Sequence, residues 1–133
     1  MQAKGEALPL ENESVCAVFL LFTLCFVNDP AAVLPEAKRV LKQYGALIAG
    51  IINKESPWGS LYERKKTEGH PLYRHARFYR VDKVEKLITD AGLSMETYSS
   101  ALCLPPSSMA HDEIAYDRFA QDAGFVCMRA RKL

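Results

Sequence analysis

The chain has 133 residues, of which 49% are hydrophobic and 25% are charged, and its formal net charge is +1. This length fits one domain with one core, and the composition argues against disorder and against a partner attracted by net charge alone. No Cys-x-x-Cys pair and no short Cys/His cluster occurs, so we predict no metal site and reduced, buried thiols in a cytoplasmic protein. The cysteines are Cys16, Cys25, Cys103 and Cys127.

The first predicted strand lies in the apolar run from Val15 to Val27, in which Thr23 is the only hydroxyl-bearing residue and no charge occurs. Because apolar and polar residues do not alternate, the run predicts a strand covered on both faces and paired along both edges. The run is too short to span a bilayer, and three glutamates precede it where a signal peptide would be basic. We therefore predict no membrane segment and no targeting peptide.

A helix is predicted next, from about residue 30 to 43. Asn28 or Asp29 provides a cap, Pro30 fits the first helical position, and apolar residues recur at helical spacing. Gly45 is placed for a left-handed residue that ends the helix, and Pro35 predicts a kink or a late start. The apolar segment 46–52 predicts a second covered strand, so strand, helix and strand form a parallel crossover and the class is α/β.

The remaining sequence divides into an irregular part and a regular part. Residues 53–80 contain prolines and glycines and no sustained period, so they predict an irregular insertion rich in aromatic and basic side chains. A further helix is predicted to begin at Asp82, as in a capping box, and to end at Gly92. A strand over 93–104, a short helix near 109–122 and a last strand over 125–131 complete the chain. HDEIAYDR, at 111–118, does not have the spacing of a metal motif and predicts an exposed helix face.

Several segments, in this order and at this spacing, resemble the second half of a class I S-adenosylmethionine-dependent methyltransferase of the type 11-like group. They are GEALPLENES at 5–14, AVFLLFTLCFVNDP at 17–30, EAKRVLKQYGALIAG at 36–50 and the closing DAGFVCMRARK. The resemblance implies a partial Rossmann-like sheet with flanking helices. In it, this chain supplies the family's strands four to seven, in the spatial order 4-5-7-6 and with the last strand antiparallel.

The resemblance also implies S-adenosylmethionine as the cofactor and methyl transfer to a small molecule as the reaction. No Gly-x-Gly occurs in the 133 residues, so the family's cofactor-binding turn is missing from this sequence. We therefore expect residues 1–133 to form a single truncated domain that is inactive or depends on a partner. By resemblance, the adenine side of the site remains, and its candidate cofactor contacts are Lys4, Gly5, Glu6, Phe22, Thr23 and Leu24.

In the family, the segment equivalent to 53–80 covers the substrate cleft, which makes this insertion lid-like by resemblance. One hypothesis is that its aromatic residues wall a pocket beside a general base; the alternative is a solvated insertion whose aromatic residues pack on a neighbouring helix. Interleaved basic and aromatic residues also permit nucleic-acid binding, against which the near-neutral charge argues. The candidate catalytic residues are His70, His75 and Tyr79, and the pocket candidates are Trp58, Tyr62, Tyr73 and Phe78.

By resemblance, the strand at 14–22 lacks its neighbour, the family's first strand, so one apolar edge is left unpaired. We expect a second copy of the chain to cover it by antiparallel pairing, or a complementing N-terminal half to do so. Two functions therefore remain open: a methyltransferase part, or a non-catalytic interaction module that dimerises through this edge. The edge residues are Val15, Ala17, Val18, Phe19, Leu20 and Leu21.

Overall fold

The computed structural model describes residues 1–107, 109 and 112–133, and its class is α/β as predicted. Its helices and strands follow one another in the order β1 (Val15–Leu21), α1 (Pro30–Val40), β2 (Leu41–Ile52), α2 (Pro57–Thr67), a short 3-10 helix (Tyr73–His75), α3 (Val81–Asp90), β3 (Ser94–Ala101) and β4 (Phe125–Arg131).

The four strands form one mixed sheet in the order β1-β2-β4-β3. β1 and β2 are parallel, whereas β4 runs antiparallel to both of its neighbours, β2 and β3. This arrangement confirms the order and the antiparallel last strand that the resemblance to methyltransferases implies. β1 is an edge strand, since β2 is its one strand neighbour within the part of the chain that the structure describes.

One face of the sheet is covered by α1 and α3, which also contact each other. The core between helices and sheet includes Leu47 and Ala49 of β2 and Met128 of β4, all fully buried. On the opposite face, Phe19 and Leu21 of β1 remain 63% and 50% exposed. The prediction of a strand covered on both faces is therefore wrong, because α1 and α3 pack on the same side of the sheet.

The first strand is also shorter than its apolar run. β1 ends at Leu21, and Phe22 adopts a φ of 53°, which turns the chain out of the sheet. The apolar residues that follow serve other purposes, because Leu24 enters the core while Phe26 stays at the surface. Continuous hydrophobicity up to Val27 thus reflects burial in a turn as well as in a strand.

α1 begins at Pro30, capped by the Asp29 carboxylate, so the late start that Pro35 suggested is wrong. The helix ends at Val40, and Leu41 already pairs with Val15 of β1. Residues 42–45 form an irregularity in β2, since the next pairs join Ala17 and Ala46.

The residue with a left-handed backbone in this irregularity is Tyr44, with a φ of 63°, and not Gly45 as predicted. Residues at the end of β4 hold it there. The Tyr44 amide donates to the Lys132 carbonyl at 2.7 Å, and Arg131 Nη1 donates to the Tyr44 carbonyl at 2.8 Å. Gly45 instead provides space, because a Cβ would lie 2.8 Å from the Lys42 carbonyl oxygen.

The irregular insertion predicted over 53–80 contains α2, an element that the sequence reading missed. Ser56 caps this helix by accepting a hydrogen bond from the Gly59 amide, and Pro57 occupies the first helical position. Only Gly59 of α2 is buried, so the helix has little of the apolar periodicity by which helices are recognised.

Two other helix predictions need correction. Residues 112–122 form no helix, because the Ser100 hydroxyl donates to the Arg118 carbonyl and accepts from the Ala120 amide, which fixes an irregular path along β3. Ala110 and His111, which belong to the same predicted helix, lie outside the described residues. In α3, Asp82 lies in the first turn and does not cap the helix, whereas Gly92 follows the helix with a φ of 83° as predicted.

The four cysteines are unpaired thiols. Three of them are half-buried, but Cys16 on β1 is exposed, so the prediction of buried thiols is wrong at that position. Among the described residues, no helix is long and apolar enough to cross a bilayer.

Candidate functional site

The carboxyl ends of the parallel strands lie side by side at one end of the sheet, which is where ligands of open α/β sheets bind. Phe22 follows β1, Ile52 ends β2, Ala101 ends β3, and Phe125 begins β4 beside them. The rings of Phe22 and Phe125 lie 5.3 Å apart, centre to centre. Residues at or next to the ends of all four strands therefore form an apolar floor at this end of the sheet.

Above this floor lies a cleft that we call the aromatic cleft. It consists of a space of about 330 Å³ next to one of about 350 Å³, and Phe22, Ile52 and Tyr62 line both. None of the described residues that line it carries a formal charge. The remaining lining residues are Trp58, Ala101, Leu102, Gly124 and Phe125 in the first space, and Cys25, Phe26, Leu72 and Tyr73 in the second.

α2 forms one wall of the aromatic cleft, and a buried polar network fixes where this helix begins. The Ser56 hydroxyl accepts from the Gly59 amide at 2.9 Å and donates to the Asn53 carbonyl at 2.7 Å. The Asn53 amide group donates to the Gln121 carbonyl at 3.0 Å, which ties the start of α2 to the segment before β4. A Cβ at Gly59 would overlap the Asn53 carbonyl, so this approach needs a glycine.

Trp58, in the first turn of α2, is held from two sides. Its indole Nε1 donates to the Leu104 carbonyl at 2.9 Å. Its ring packs on Gly124, where a Cβ would lie only 2.5 Å from the indole Cδ1. The indole is thereby fixed between the start of α2, the loop after β3 and the start of β4.

The other end of the wall is an aromatic cluster. The rings of Tyr62 and Tyr73 lie 4.8 Å apart, and Phe78 packs behind them at 6.1 Å from Tyr62. Burial raises the pKa of Tyr62 above its usual value, with a further contribution from Tyr73. Lys65 Nζ lies 5.4 Å from the centre of the Tyr62 ring, at cation-π distance.

The predicted pocket residues are thus divided. Trp58, Tyr62 and Tyr73 line the aromatic cleft, whereas Phe78 is buried beneath it and lines no part of it. The hypothesis of an aromatic-walled pocket agrees with the first three positions. For Phe78, the alternative of packing within the protein describes its surroundings better.

The candidate bases do not line the cleft. His70 Nδ1 accepts from the Leu72 amide at 3.2 Å, and its ring stacks on Tyr73. The His75 Nε2 lone pair accepts from Arg74 Nε at 3.1 Å. Tyr79 lies in a separate groove of about 390 Å³, whose other lining residues are Lys54, Phe78, Arg80, Asp82, Lys83 and Lys86.

Two groups of cofactor candidates lie at the same end of the sheet. Lys4 and Ala7 pair across a tight turn, and Gly5 in this turn lies against Val33 at the start of α1. A Cβ at Gly5 would lie 3.3 Å from the Val33 side chain, so the turn approaches the helix closely. Because α1 begins on the side of the carboxyl end of β1, the turn lies at the same end of the sheet as the aromatic cleft.

The segment after this turn is clamped to α1 by one ion pair. Glu36 Oε1 accepts from the Leu8 amide at 2.8 Å, and the Arg39 guanidinium donates to the Leu8 and Leu10 carbonyls at 3.0 and 2.9 Å. Glu36 and Arg39 also pair directly at 2.7 Å. The hydrogen bond from Arg39, then that from the Leu8 amide, lowers the pKa of the Glu36 carboxyl to about 2. Glu36 and Arg39 are three residues apart on α1, so both side chains lie on the same side of the helix and hold residues 8 and 10 against it.

The second group of cofactor candidates differs in accessibility. The Phe22 ring is 46% exposed in the cleft, and the Thr23 hydroxyl donates back to the Leu21 carbonyl at 3.3 Å. Leu24 is only 1% exposed as a whole residue, so it belongs to the core and presents no surface to a ligand. Cys25 Sγ donates to the Phe22 carbonyl at 3.0 Å, and burial raises the pKa of this thiol to about 11.

Several lining residues were missed by the sequence reading, among them Ile52, Leu102 and Phe125. Their signal was their position at predicted strand ends, because the ends of parallel strands and the start of an antiparallel one share an edge. Among the described residues, no group of three or more His, Cys, Asp or Glu side chains is placed to hold a metal ion.

Comparisons with known proteins agree with this geometry. Residues 1–49 match the family model described as a methyltransferase domain. These residues include the turn at 4–7, β1, all of α1 and most of β2. The whole chain superposes on the crystal structure of a Thermotoga maritima protein, described as a SAM-dependent methyltransferase and possible histamine N-methyltransferase. The TM-score is 0.91 and the identity 33%, and the match covers 100% of this chain and 63% of that one.

Two curated relatives are uncharacterized proteins. One, from Mycobacterium tuberculosis, is 40% identical over 129 residues, which are 96% of this chain and 45% of the relative. The other, from Methanocaldococcus jannaschii, is 30% identical over 131 residues, which are 98% of this chain and 62% of the relative. The chain therefore spans about half to two thirds of the length of these proteins. Its fold is that of S-adenosylmethionine-dependent methyltransferases.

Proposed function

We propose that residues 1–133 form the carboxyl-terminal part of an S-adenosylmethionine-dependent methyltransferase that acts on a small molecule. One observation carries the proposal: the turn at 4–7, the exposed Phe22 ring and the aromatic cleft lie at the same end of the sheet. The family match supports it, since it covers both segments that hold the cofactor candidates.

The described residues fit one side of the cofactor. The Phe22 ring offers a stacking surface for a purine, and the turn from Lys4 to Ala7 offers backbone polar groups. No Gly-x-Gly turn lies among the 133 residues to receive the rest of the molecule. Bound S-adenosylmethionine would supply a sulfonium methyl group; the role of this chain is to orient the acceptor and to exclude water around it.

The missing side of the site belongs, in this proposal, to strands that continue the sheet beyond β1. These strands come from further residues of the same polypeptide or from a complementing chain. The free edge of β1 and the exposed side chains of Phe19 and Leu21 support this, because pairing would satisfy the edge and bury apolar surface. The 133 residues alone are then inactive. α2 and the 3-10 helix after it serve as the lid-like insertion over the acceptor.

A chimera tests the proposal. The part of the Thermotoga maritima methyltransferase that this chain does not match is fused ahead of residue 1, and S-adenosylmethionine and S-adenosylhomocysteine are titrated by calorimetry. We expect saturable binding at roughly micromolar strength by the chimera, and no saturable heat from the 133 residues alone at about millimolar ligand. Phe22→Ala should weaken binding by the chimera about tenfold. Tyr44→Ala, at the opposite end of β2, serves as its matched control.

Two results would contradict this proposal. A folded chimera that binds neither ligand would reject the cofactor assignment. Micromolar binding by the 133 residues alone would reject the dependence on additional strands. Circular dichroism and a cooperative thermal transition establish that the chimera is folded before either conclusion is drawn.

The second candidate function is a non-catalytic module that dimerises through β1, and the exposure of Phe19 favours it. Two β1 edges pairing antiparallel about a twofold axis would continue the sheet. Light scattering after size exclusion should then give a dimer for the wild type and a monomer for Phe19→Lys. Tyr44→Lys, which replaces another exposed aromatic residue on a strand, should leave the dimer intact. A wild-type monomer at all concentrations would reject this candidate. The four unpaired thiols fit a reducing compartment such as the cytoplasm for either function.

A further inference from the structure

We propose, on the basis of the proposed function, that the methyl acceptor held in the aromatic cleft is a neutral aromatic molecule, with one hydroxyl or amide group and no formal charge. The chemistry of the lining carries this inference. Five of its residues have aromatic side chains, which come from the turn after β1, α2, the 3-10 helix and β4: Phe22, Trp58, Tyr62, Tyr73 and Phe125. Phe26 adds a sixth ring at the outer end.

Ring stacking is the interaction that this cleft offers most. The Trp58 indole is fixed by Gly124 and by its hydrogen bond to Leu104, and the Phe22 ring lies 5.3 Å from that of Phe125. Rings that are held in place lose little side-chain entropy when a ligand binds. A planar aromatic ligand therefore gains stacking and apolar burial from walls that are already in position.

The cleft has no opposite charge for a charged ligand, since none of the described lining residues is an acid or a base. A carboxylate would lose its hydration and would face the negative faces of the rings. An ammonium would gain only the cation-π attraction of the rings, which returns less than the hydration it loses. Lys65 Nζ lies 5.4 Å from the centre of the Tyr62 ring and 6.0 Å from that of the Tyr73 ring, but Lys65 lines neither space. Histamine, an ammonium at neutral pH and the acceptor suggested for the Thermotoga maritima protein, is disfavoured by this lining.

The polar groups that do line the cleft are few and uncharged. They are the hydroxyls of Tyr62 and Tyr73 and the thiol of Cys25; Tyr62 lines both spaces, and the other two residues line the second. A single hydroxyl or amide on the ligand matches this set, because each of these groups forms a hydrogen bond with a neutral partner. The volumes of about 330 and 350 Å³ lie at the small end of the range for ligand pockets, which favours one or two fused rings.

The only tryptophan of the chain is Trp58, so its indole N–H gives one cross-peak in a ¹H–¹⁵N correlation spectrum and reports on the cleft directly. Three ligands with the same bicyclic ring are titrated: 2-naphthol, which is neutral, 2-naphthoate, which is an anion, and 2-naphthylmethylamine, which is a cation. We expect a saturable shift of the indole peak with 2-naphthol. The two charged ligands should bind at least tenfold more weakly. Equal or tighter binding of either charged ligand would overturn the proposal, as would the absence of a saturable shift with 2-naphthol.

Variants show whether the shift arises in the cleft. Ala101→Leu places a larger side chain into the lined space and should abolish the shift, and Phe125→Ala should weaken binding about tenfold. Tyr44→Ala, on the irregularity of β2, should change neither. If Ala101→Leu and Tyr44→Ala affect binding equally, the ligand binds elsewhere and the proposal fails. An unchanged thermal transition establishes that each variant is folded.

The readout needs neither cofactor nor methyl transfer. If 2-naphthol binds but the chimera does not bind S-adenosylmethionine, the cleft assignment holds and the proposed function fails. If the chimera binds the cofactor but 2-naphthol does not bind, the substrate class fails and the proposed function stands.

Discussion

Trp58 packs directly on Gly124, with its indole Cδ1 2.5 Å from the position that a Cβ of residue 124 would occupy. The contact joins the first turn of α2 to the residue before β4, two parts of the chain that are far apart in sequence. Both residues line the aromatic cleft, so the contact also fixes the position of the Trp58 side of the cleft. The absence of one methyl group thus determines where the helix lies on the sheet.

Gly124→Ala is expected to displace the indole and to weaken its hydrogen bond to Leu104. The free energy of unfolding should fall by about 1–3 kcal/mol, the usual range for an overpacked site. Tryptophan emission should shift to longer wavelength as water reaches the ring. Gly69→Asn is the control, since nothing lies within 4 Å of its Cβ position and its φ of 79° is one that Asn adopts. Unchanged emission and stability in Gly124→Ala would contradict the contact.

The two capped helices allow a comparison between a buried and an exposed cap. Ser56→Ala removes both the buried cap of α2 and one of the two donors to the Asn53 carbonyl, the other being the Ser56 amide, so it should destabilise by about 2 kcal/mol. Asp29→Ala removes an exposed cap of α1 and should cost about 0.5–1 kcal/mol. Urea unfolding of both variants measures the difference. Equal losses would mean that the buried network around Asn53 adds nothing beyond the cap.

The clamp between Glu36 and Arg39 predicts a specific pH dependence. The pKa of Glu36 is lowered from 4.5 to about 2 in the folded protein, so its contribution to stability is complete above pH 4.5. That contribution is lost as the pH falls from 4.5 towards 2. Glu36→Gln should lower the urea midpoint at pH 7, and its difference from the wild type should shrink across this window.

Glu11→Gln is the matched control for the clamp, because it removes the same charge from an exposed position on the clamped segment. It should leave the urea midpoint and its pH profile close to those of the wild type. A constant difference between Glu36→Gln and the wild type from pH 7 to pH 2 would show that the clamp does not depend on the carboxylate.

Cys25 should be the slower of two thiols to react with iodoacetamide at pH 7. Its pKa of about 11 leaves on the order of 100-fold less thiolate than a pKa of 9.0 would, and thiolate is the reactive form. Cys16 is exposed and should be alkylated first, by at least tenfold in rate, as followed by mass spectrometry of chymotryptic peptides, because Phe19 and Phe22 lie between the two cysteines. In 8 M urea the two rates should converge. Equal rates in the native protein would contradict the burial of Cys25.

Much of the fold follows from local sequence signals. The apolar runs at β1, β2 and β4, the capped start of α1 and the Gly92 end of α3 mark five elements, and the resemblance to methyltransferases supplied their spatial order. α2 escaped notice because its aromatic residues face a cleft and only Gly59 is buried, so no apolar stripe forms along it. Its true signal was the Ser56-Pro57 pair, which is a cap followed by a first-turn proline.

The errors have long-range causes. Tyr44 takes the left-handed conformation expected of Gly45 because Arg131 and Lys132 hold its backbone, a contact across most of the chain. Residues 112–122 have helix-forming composition, but Ser100 binds their carbonyl and amide groups and keeps them irregular. Likewise, Phe125 joins Phe22 only once the sheet has formed, so no local pattern could place both rings in one cleft.

The insertion of β4 between β2 and β3 also governs when the sheet can form during synthesis. β2 and β3 have no hydrogen-bonded contact with each other, so β3 has nothing to pair with until residue 131 has left the ribosome. Until then, β1 and β2 are the only two of these four strands that can pair, and the apolar side chains that β4 will cover remain open to water. Such late, non-local pairing slows folding and lengthens the exposure of aggregation-prone surface. The emerging chain is therefore expected to need chaperone protection throughout translation of its last strand.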